Sequence, residues 1–267
     1  MGAMRVRLGA GVRVSDRSGE SLQVGLHPGR SAVLPDRPDV RAVLERLHHG
    51  VDPDLVRAEA ADVLDRLDAG HLLVPTDESS SRSRARQTAR IALDAPAAEQ
   101  ALTARLLGEA GLALAGDAGS TSRPTARPTA SLVVTLGAEP RRETVDLLAQ
   151  ADRPHLLVTA VAGRVRVGPT VVPGMTACLR CLDEHQTDRD PRHPLVVEQH
   201  LERDPDDRPV PADLQLALAW AVRDLLALVE GRRPVTWSAT LDLDEDGARQ
   251  RSWTRHPRCG CAWADLA

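Results

Sequence analysis

Four cysteines are the residues best able to do chemistry in this chain, and it contains no others. They stand as Cys178-Leu-Arg-Cys181 and Cys259-Gly-Cys261. Thiolates two or three positions apart can grip one ion together, and two such pairs complete a tetrahedron. An all-thiolate tetrahedral set suits zinc. Four protein ligands close the coordination, so no position is left for a substrate or an activated water, and such a zinc holds structure. Two other chemistries use the same residues: a redox dithiol and a pair of disulfides. Met1 to Gly29 mixes charged and apolar residues and lacks the apolar run of a secretory signal. A reducing, cytoplasmic compartment is therefore expected, where this spacing favours metal over disulfide. The Cys-x-x-Cys does not follow a thioredoxin-like βαβ start, which weighs against redox work. Arg180 and Arg258, beside the cysteines, are placed to offset thiolate charge.

Other candidates are less specific. His185 lies one helical turn beyond Cys181, and His256 lies three residues before Cys259. Either could be a ligand or a base, or could support the ligands from outside. Asp188-Arg189-Asp190-Pro191 offers two carboxylates for magnesium, yet Asp before Pro commonly starts a turn and no phosphate loop accompanies it. Ser79, Ser80, Ser81 and Ser83 sit in a polar stretch with no His–Asp partners legible. His48-His49 closes a helical pattern, where a cation suits the dipole.

The elements that must position these residues fall into two groups across 267 residues. Residues 1–76 read as strand-like runs at Arg5–Leu8, Val12–Val14, Leu22–Leu26 and Ser31–Leu34, with a turn at Asp16–Gly19. Two amphipathic helices follow, over Asp36–Leu47 and from Asp52-Pro53 to Gly70, then a strand at Leu72–Val74. The sum is a small winged-helix-like module. Residues 77–88 are polar and read as a linker. Residues 89–267 alternate strands (Ile91–Leu93, Leu112–Leu114, Leu132–Thr135, His155–Thr159) with helices (Ala97–Gly111, Glu143–Gln150), as a partly parallel α/β sheet does. Residues 115–130 offer little to a core and read as a flexible loop. Val165–Val172 leads into the first cysteine pair, and Pro211–Val229 is a Leu/Ala helix expected to be largely buried. Trp237–Leu243 and Arg249–Trp253 flank Glu245-Asp-Gly247, a hairpin able to return Cys259 and Cys261 to the first pair.

Composition excludes several functions. The chain has no Phe, no Tyr, four Trp and no lysine, so all 34 Lys+Arg residues are arginine. No P-loop lysine or Schiff-base lysine can exist. Stacking platforms for single-stranded nucleic acid are nearly missing, and a net charge of −4 gives no basic field for duplex. No apolar run approaches the ~20 residues of a membrane span.

A short α/β domain, Cys-x-x-Cys after strands, a long helix and a second cysteine pair together resemble the ubiquitin-activating superfamily, whose simplest members are ThiF/MoeB-type adenylating enzymes. Val171-Val-Pro-Gly-Met-Thr-Ala-Cys-Leu-Arg-Cys-Leu-Asp-Glu-His185, Thr187-Asp-Arg-Asp-Pro191 and His256-Pro-Arg-Cys-Gly-Cys-Ala-Trp263 are more specific. They resemble actinobacterial ThiF-like proteins related to the leader-peptide-binding, cyclodehydratase-partner proteins of azole-peptide biosynthesis. The front module resembles the PqqD-like recognition element of such proteins. The resemblance implies a winged-helix-like recognition domain, then a degenerate ThiF-like Rossmann-type α/β domain with a four-cysteine zinc site. It implies a leader peptide held by β-augmentation at Ser31, Ala32, Val33 and Leu34 and against the helix Leu55–Leu67, where Arg57 or Arg66 meets an acidic leader. Asp188, Arg189 and Asp190 become partner contacts.

The chain departs from active adenylating enzymes at the nucleotide turn. Leu93-Asp-Ala-Pro-Ala-Ala-Glu99 has no glycine, carries two acids, and loses an amide donor at Pro96. ATP binding is therefore not expected. The reading is a non-catalytic protein that presents a leader peptide or partner protein to a separate modifying enzyme, such as a YcaO-type cyclodehydratase. An ATP-dependent adenylating enzyme and a winged-helix DNA-binding regulator are the alternatives, and a homodimer is a possible assembly.

Overall fold

The computed structural model describes residues 5–17, 19–116, 128–204 and 206–261. Most of the 115–130 segment, and Trp263, lie outside them. The chain divides into two compact units, Met1–Ser83 and Arg84–Ala267.

In the first unit, β1 (Val6–Leu8) precedes a three-stranded antiparallel sheet of β2 (Val14–Arg17), β3 (Ser21–His27) and β4 (Arg30–Pro35). Asp16 and Arg17 complete β2 rather than opening the turn. Strand alternation sends Leu22 and Val24 of β3, and Ala32 and Leu34 of β4, to one face. Helices α1 (Pro38–His49) and α2 (Pro53–Ala69) cover that face with Val40, Leu47, Val56, Val63 and Leu67. Asp52 starts α2 by accepting from the Asp54 N–H at 3.0 Å, and Pro53 follows at the first helical position. β5 (Leu73–Pro75) returns antiparallel to β1.

Residues 77–88, read from sequence as the interdomain linker, form most of a helix, α3 (Thr76–Thr88). Charge order supplies what apolar residues do not. Asp77 and Glu78 occupy the first turn, Arg86 the last, and Glu78 pairs with Arg82 one turn on.

In the second unit, β6 (Arg90–Asp94), α4 (Ala97–Glu109), β7 (Ala113–Leu114), β8 (Ala130–Leu136), α5 (Arg142–Gln150) and β9 (His155–Val161) build a parallel run. β10 (Arg164–Val171) turns back antiparallel on β9. After α6 (Leu179–Thr187), α7 (His193–Gln199) and α8 (Pro211–Val229), the hairpin β11 (Ala239–Asp244) and β12 (Gly247–Ser252) extends the edge. The sheet order is β12-β11-β10-β9-β8-β6-β7. Even-numbered residues of β8 and β9 (Leu132, Val134, Leu156, Val158) pack on α4 and α8, while Val133 and Leu157 face α5 and α6. This is the α/β class expected. Among the described residues no helix is long and apolar enough to cross a membrane.

One buried carboxylate fastens α8. Asp224 is 1% exposed and accepts from Val235 N, Thr236 N and Thr236 Oγ1 at 3.1, 2.8 and 2.6 Å. Asp224→Ala strands those donors and is expected to cost about 2–4 kcal/mol, read as a lowered urea midpoint of the second unit's transition.

Candidate functional site

Cys178 caps α6 in extended conformation (φ −94°, ψ 176°), and the helix begins at Leu179, so Cys181 falls one turn on. The turn after β12 supplies the other pair. Gly260 between them has φ +76°, a left-handed geometry that costs a glycine little and lets both flanking thiols face one way. Sulfur separations are 3.7 Å for Cys178–Cys181, 3.4 Å for Cys178–Cys259 and 3.3 Å for Cys181–Cys261, and all four lie within 4.8 Å of one another. Disulfide sulfurs would be about 2.05 Å apart; all four thiols are free. A tetrahedral ion with bonds of about 2.3 Å needs sulfur edges of about 3.8 Å. The four cysteines can therefore hold a metal ion, and the donor set is compatible with zinc.

Crowding governs their protonation. Cys181, which receives hydrogen bonds from Cys178 and Cys259, is held well below the ordinary thiol range. Cys178 is pushed up by its bonds to Cys181 and Cys259 and by burial. Burial and the Cys181 sulfur push Cys261 up to about 12. Cys259 also reaches about 12, because the lowering by Cys178 is outweighed by Cys181 and burial. Four anionic sulfurs cannot coexist here without a cation.

The neighbouring arginines do not serve as the sequence suggested. Arg180 forks onto Asp146 at 2.6–3.0 Å, and Arg258 binds Glu184 at 3.0 Å and Asp188 at 2.5 Å. Carboxylates hold both guanidiniums. Backbone N–H groups donate to the sulfurs instead, among them that of His256, 3.3 Å from Cys181 Sγ. His256 is buried, with Nε2 2.9 Å from Asp188 and Nδ1 accepting from the Arg258 N–H at 3.2 Å. His185 Nε2 lies 2.9 Å from the Thr254 carbonyl, so that nitrogen carries its proton. Both histidines therefore brace the cluster from outside it. Asp188 is a strut of this network, its carboxyl held low by His256 and Arg258. Arg189 donates to Gln186, and Asp190 accepts from the Arg192 N–H.

In the first unit, Ser31, Ala32, Val33 and Leu34 lie on β4, whose outer edge carries no strand among the described residues. Ala32 and Leu34 point into the core, and Val33 points outward. Arg66 of α2 donates to the Val33 carbonyl at 3.0 Å, so that carbonyl faces the edge. A groove of about 420 Å³ runs between this edge and Arg66, Ala69 and Gly70. Arg57 pairs with Asp65 at 3.3 Å, both exposed.

A larger cavity, about 760 Å³, lies where β6 and β8 end and α4 begins, lined by Pro96, Glu99, Leu136, Arg203, Asp204 and Asp207. Asp204 and Asp207, not singled out by sequence, are tied to the neighbouring strand ends. The Asp204 N–H donates to the Gly137 carbonyl at 2.8 Å, and the Asp207 carboxylate accepts from Ala162 N and Gly163 N at 2.5 and 3.2 Å. Gly137 has φ +69°, and a Cβ there would collide with the Asp204 carbonyl oxygen.

Cys181→Ser is expected to drop bound metal from one equivalent to under a tenth and to lower Tm by on the order of 10 °C, checked by metal analysis and calorimetry. Bound sulfurs must shed protons that the raised Cys259 and Cys261 thiols still hold at pH 7. Metal addition in weak buffer is therefore expected to release protons, and affinity to fall as pH falls.

No protein-family model matches the chain. No curated protein matches it either. Solved structures do. The heterocyclase TruD is similar over 97% of this chain at 16% identity, with a TM-score of 0.69, but this chain covers 43% of that one. A heterocyclase in complex with substrate and cofactor gives 15% identity, 97% and 39% coverage, and a TM-score of 0.63. E. coli MccB with AMPCPP and MccA gives 12% identity, 96% and 99% coverage, and a TM-score of 0.63. This chain thus spans under half of the two heterocyclases and nearly all of MccB. At these identities the likeness is one of fold, and the fold is that shared by TruD and MccB.

Proposed function

We propose that this chain is a non-catalytic binding protein that recognises a precursor peptide's leader and presents it to a separate modifying enzyme, with a YcaO-type cyclodehydratase as the kind of enzyme the resemblance implies. Residues 1–76 act as the winged-helix-like recognition element, and residues 89–267 as a degenerate ThiF-like domain stapled by structural zinc at Cys178, Cys181, Cys259 and Cys261. The observation that carries this reading is the unpaired outer edge of β4 beside the α2 groove. A leader strand laid there would pair with Ser31 and Val33, displace Arg66 from the Val33 carbonyl, and give that guanidinium an acidic side chain to meet. Arg57 would serve an acidic leader only by leaving Asp65. Asp188, Arg189 and Asp190 would act on a partner through the outward side of α6. The solved neighbours include MccB with MccA and a heterocyclase with its substrate, which supports a role among proteins that handle such molecules.

MccB also occurs with AMPCPP and with ATP, so nucleotide binding is the second reading. The local chemistry weighs against it. The β6–α4 turn offers no glycine, Pro96 has no N–H, and Glu99 stands in the first turn of α4. Asp204 and Asp207 line the same end of the sheet, and Asp207 already uses the two amides of the β9–β10 turn.

Two measurements test these readings. Val33→Pro removes an edge N–H that no strand uses, so folding and metal content should persist. Capture of a leader peptide or modifying enzyme from the native host should fall at least tenfold, and unchanged capture would sink the edge reading. ATP with magnesium at about 100 times a micromolar Kd would raise stability by about 2.7 kcal/mol if bound. We expect Tm to stay fixed, and a rise would restore the adenylating alternative.

A further inference from the structure

The three-stranded sheet of the first unit has the order β2-β3-β4, so among the described residues β2 forms its second open edge. The Gly25 N–H donates to the Arg13 carbonyl at 2.9 Å, which makes Arg13 and Gly25 a hydrogen-bonded pair. Bonded and non-bonded pairs alternate along an antiparallel ladder. Val14 opposite Val24 and Asp16 opposite Leu22 are therefore non-bonded pairs, and the N–H and C=O groups of Val14 and Asp16 point out of the edge. All four residues of β2 are exposed. The same alternation sends the side chains of Ser15 and Arg17 to the face turned away from α1 and α2, beside Gln23.

A groove of about 690 Å³ follows this edge, and Val12, Arg13, Ser15, Arg17, Gln23 and Leu26 are among its walls. Neither Arg13 nor Arg17 has a hydrogen bond or ion pair among the described residues. Asp16, the acid among the lining residues, binds Arg41 of α1 at 2.6 Å and so does not neutralise them. The strands of this unit hold more arginines than acids, and α1 and α2 more acids than arginines. An anion is therefore drawn to the sheet side and repelled from the helix side. Leu26, where β3 departs from register between Val24 and His27, is 80% exposed and gives the groove an apolar lip.

These features select an occupant. Free guanidiniums call for carboxylates or phosphates. A nucleic-acid backbone offers acceptors only at its phosphates and would leave the outward carbonyls of Val14 and Asp16 unmatched, whereas a polypeptide strand supplies N–H and C=O in alternation. No Trp lines the groove and the chain has no Phe or Tyr, so bases would find no indole or phenyl ring to stack on. We propose that β2 accepts an extended acidic segment of a partner polypeptide, which pairs with the Val14 and Asp16 edge and sets carboxylates against Arg13 and Arg17. The β2 edge would act whether or not β4 holds a leader, and with β4 occupied the unit would carry a strand at each edge.

The test uses the full chain and its Val33→Pro form, in which the β4 edge is closed to a strand. The probe is a dansyl-labelled peptide of alternating glutamate and valine, read by fluorescence anisotropy. The same peptide with glutamine for glutamate is its neutral counterpart, and labelled polyuridylate reads nucleic-acid binding. The acidic peptide is expected to bind both forms of the protein saturably, more weakly as salt rises, with the neutral peptide about tenfold weaker. Replacing both arginines, Arg13→Ser with Arg17→Ser, should weaken the acidic peptide about tenfold at unchanged Tm, since both side chains are exposed. Val14→Pro, which removes an edge N–H that β3 does not use, should weaken it as well. Full binding to the double-serine variant or to Val14→Pro overturns the proposal, and so does equal binding of the two peptides. Binding lost in the Val33→Pro form would put the peptide on β4 and overturn the β2 site alone. Polyuridylate bound more tightly than the acidic peptide would make the face a nucleic-acid site and overturn it too.

Discussion

The second unit depends on the meeting of four sulfurs from two distant stretches of chain. The start of α6 brings two and the turn after β12 brings two, so everything between them lies inside the loop they close: α7, α8, β11 and β12. Closing so long a loop is entropically costly, and packed thiolates repel one another. A cation converts that repulsion into the strongest local attraction. The rest of the region is arranged to serve the meeting. Cys178 leaves β10 at the helix cap, Gly260 reverses the last turn, and the His256 amide supports the buried Cys181.

Around the cluster, arginine and carboxylate replace the aromatic packing that this chain cannot supply. Arg142 lies 8% exposed because its planar fork meets Asp183, Glu139 and the Pro140 carbonyl together. A lysine ammonium could not satisfy three acceptors in that plane. The same forks hold Arg180 on Asp146 and Arg258 on Glu184 and Asp188. The guanidiniums thus brace α5 and the final turn against α6, and leave the sulfurs to backbone amides and to a metal ion they could hold. Besides a cavity of about 390 Å³ beside the cluster, a free edge lies at β4 in the first unit and a larger cavity at the ends of the parallel strands in the second.

At those strand ends an open α/β sheet offers its usual ligand position. Here Arg203, Asp204 and Asp207 line a cavity at that position. Gly137 admits the Asp204 backbone where any side chain would collide, and Asp207 satisfies the β9–β10 turn amides. These contacts shape one wall of the cavity of about 760 Å³ at those strand ends and occupy the two amides of the β9–β10 turn.

Much of this was legible in the residues. The two cysteine spacings forecast one shared cluster, because Cys-x-x-Cys and Cys-x-Cys pairs suit convergent ligands on one ion. Period-2 and period-3.6 patterns forecast most strands and helices of both units, though not α3 or α7, and Glu245-Asp-Gly247 forecast the hairpin that returns the second pair. The chemistry of a ligand atom or an apolar face is carried by residue type and local spacing, which sequence displays. Three things were not legible. The polar stretch 77–88 is a helix set by charge order rather than by an apolar face. Arg180 and Arg258 turned to Asp146, Glu184 and Asp188, since a guanidinium takes the best-placed carboxylate, and that placement exists only after folding. Residues 200–207 carry no motif at all. Sequence fixes which groups are present and how neighbours along the chain can share one ion. Only the tertiary structure decides which distant groups satisfy one another, and which, like the outer edge of β2, are left without a partner among the described residues.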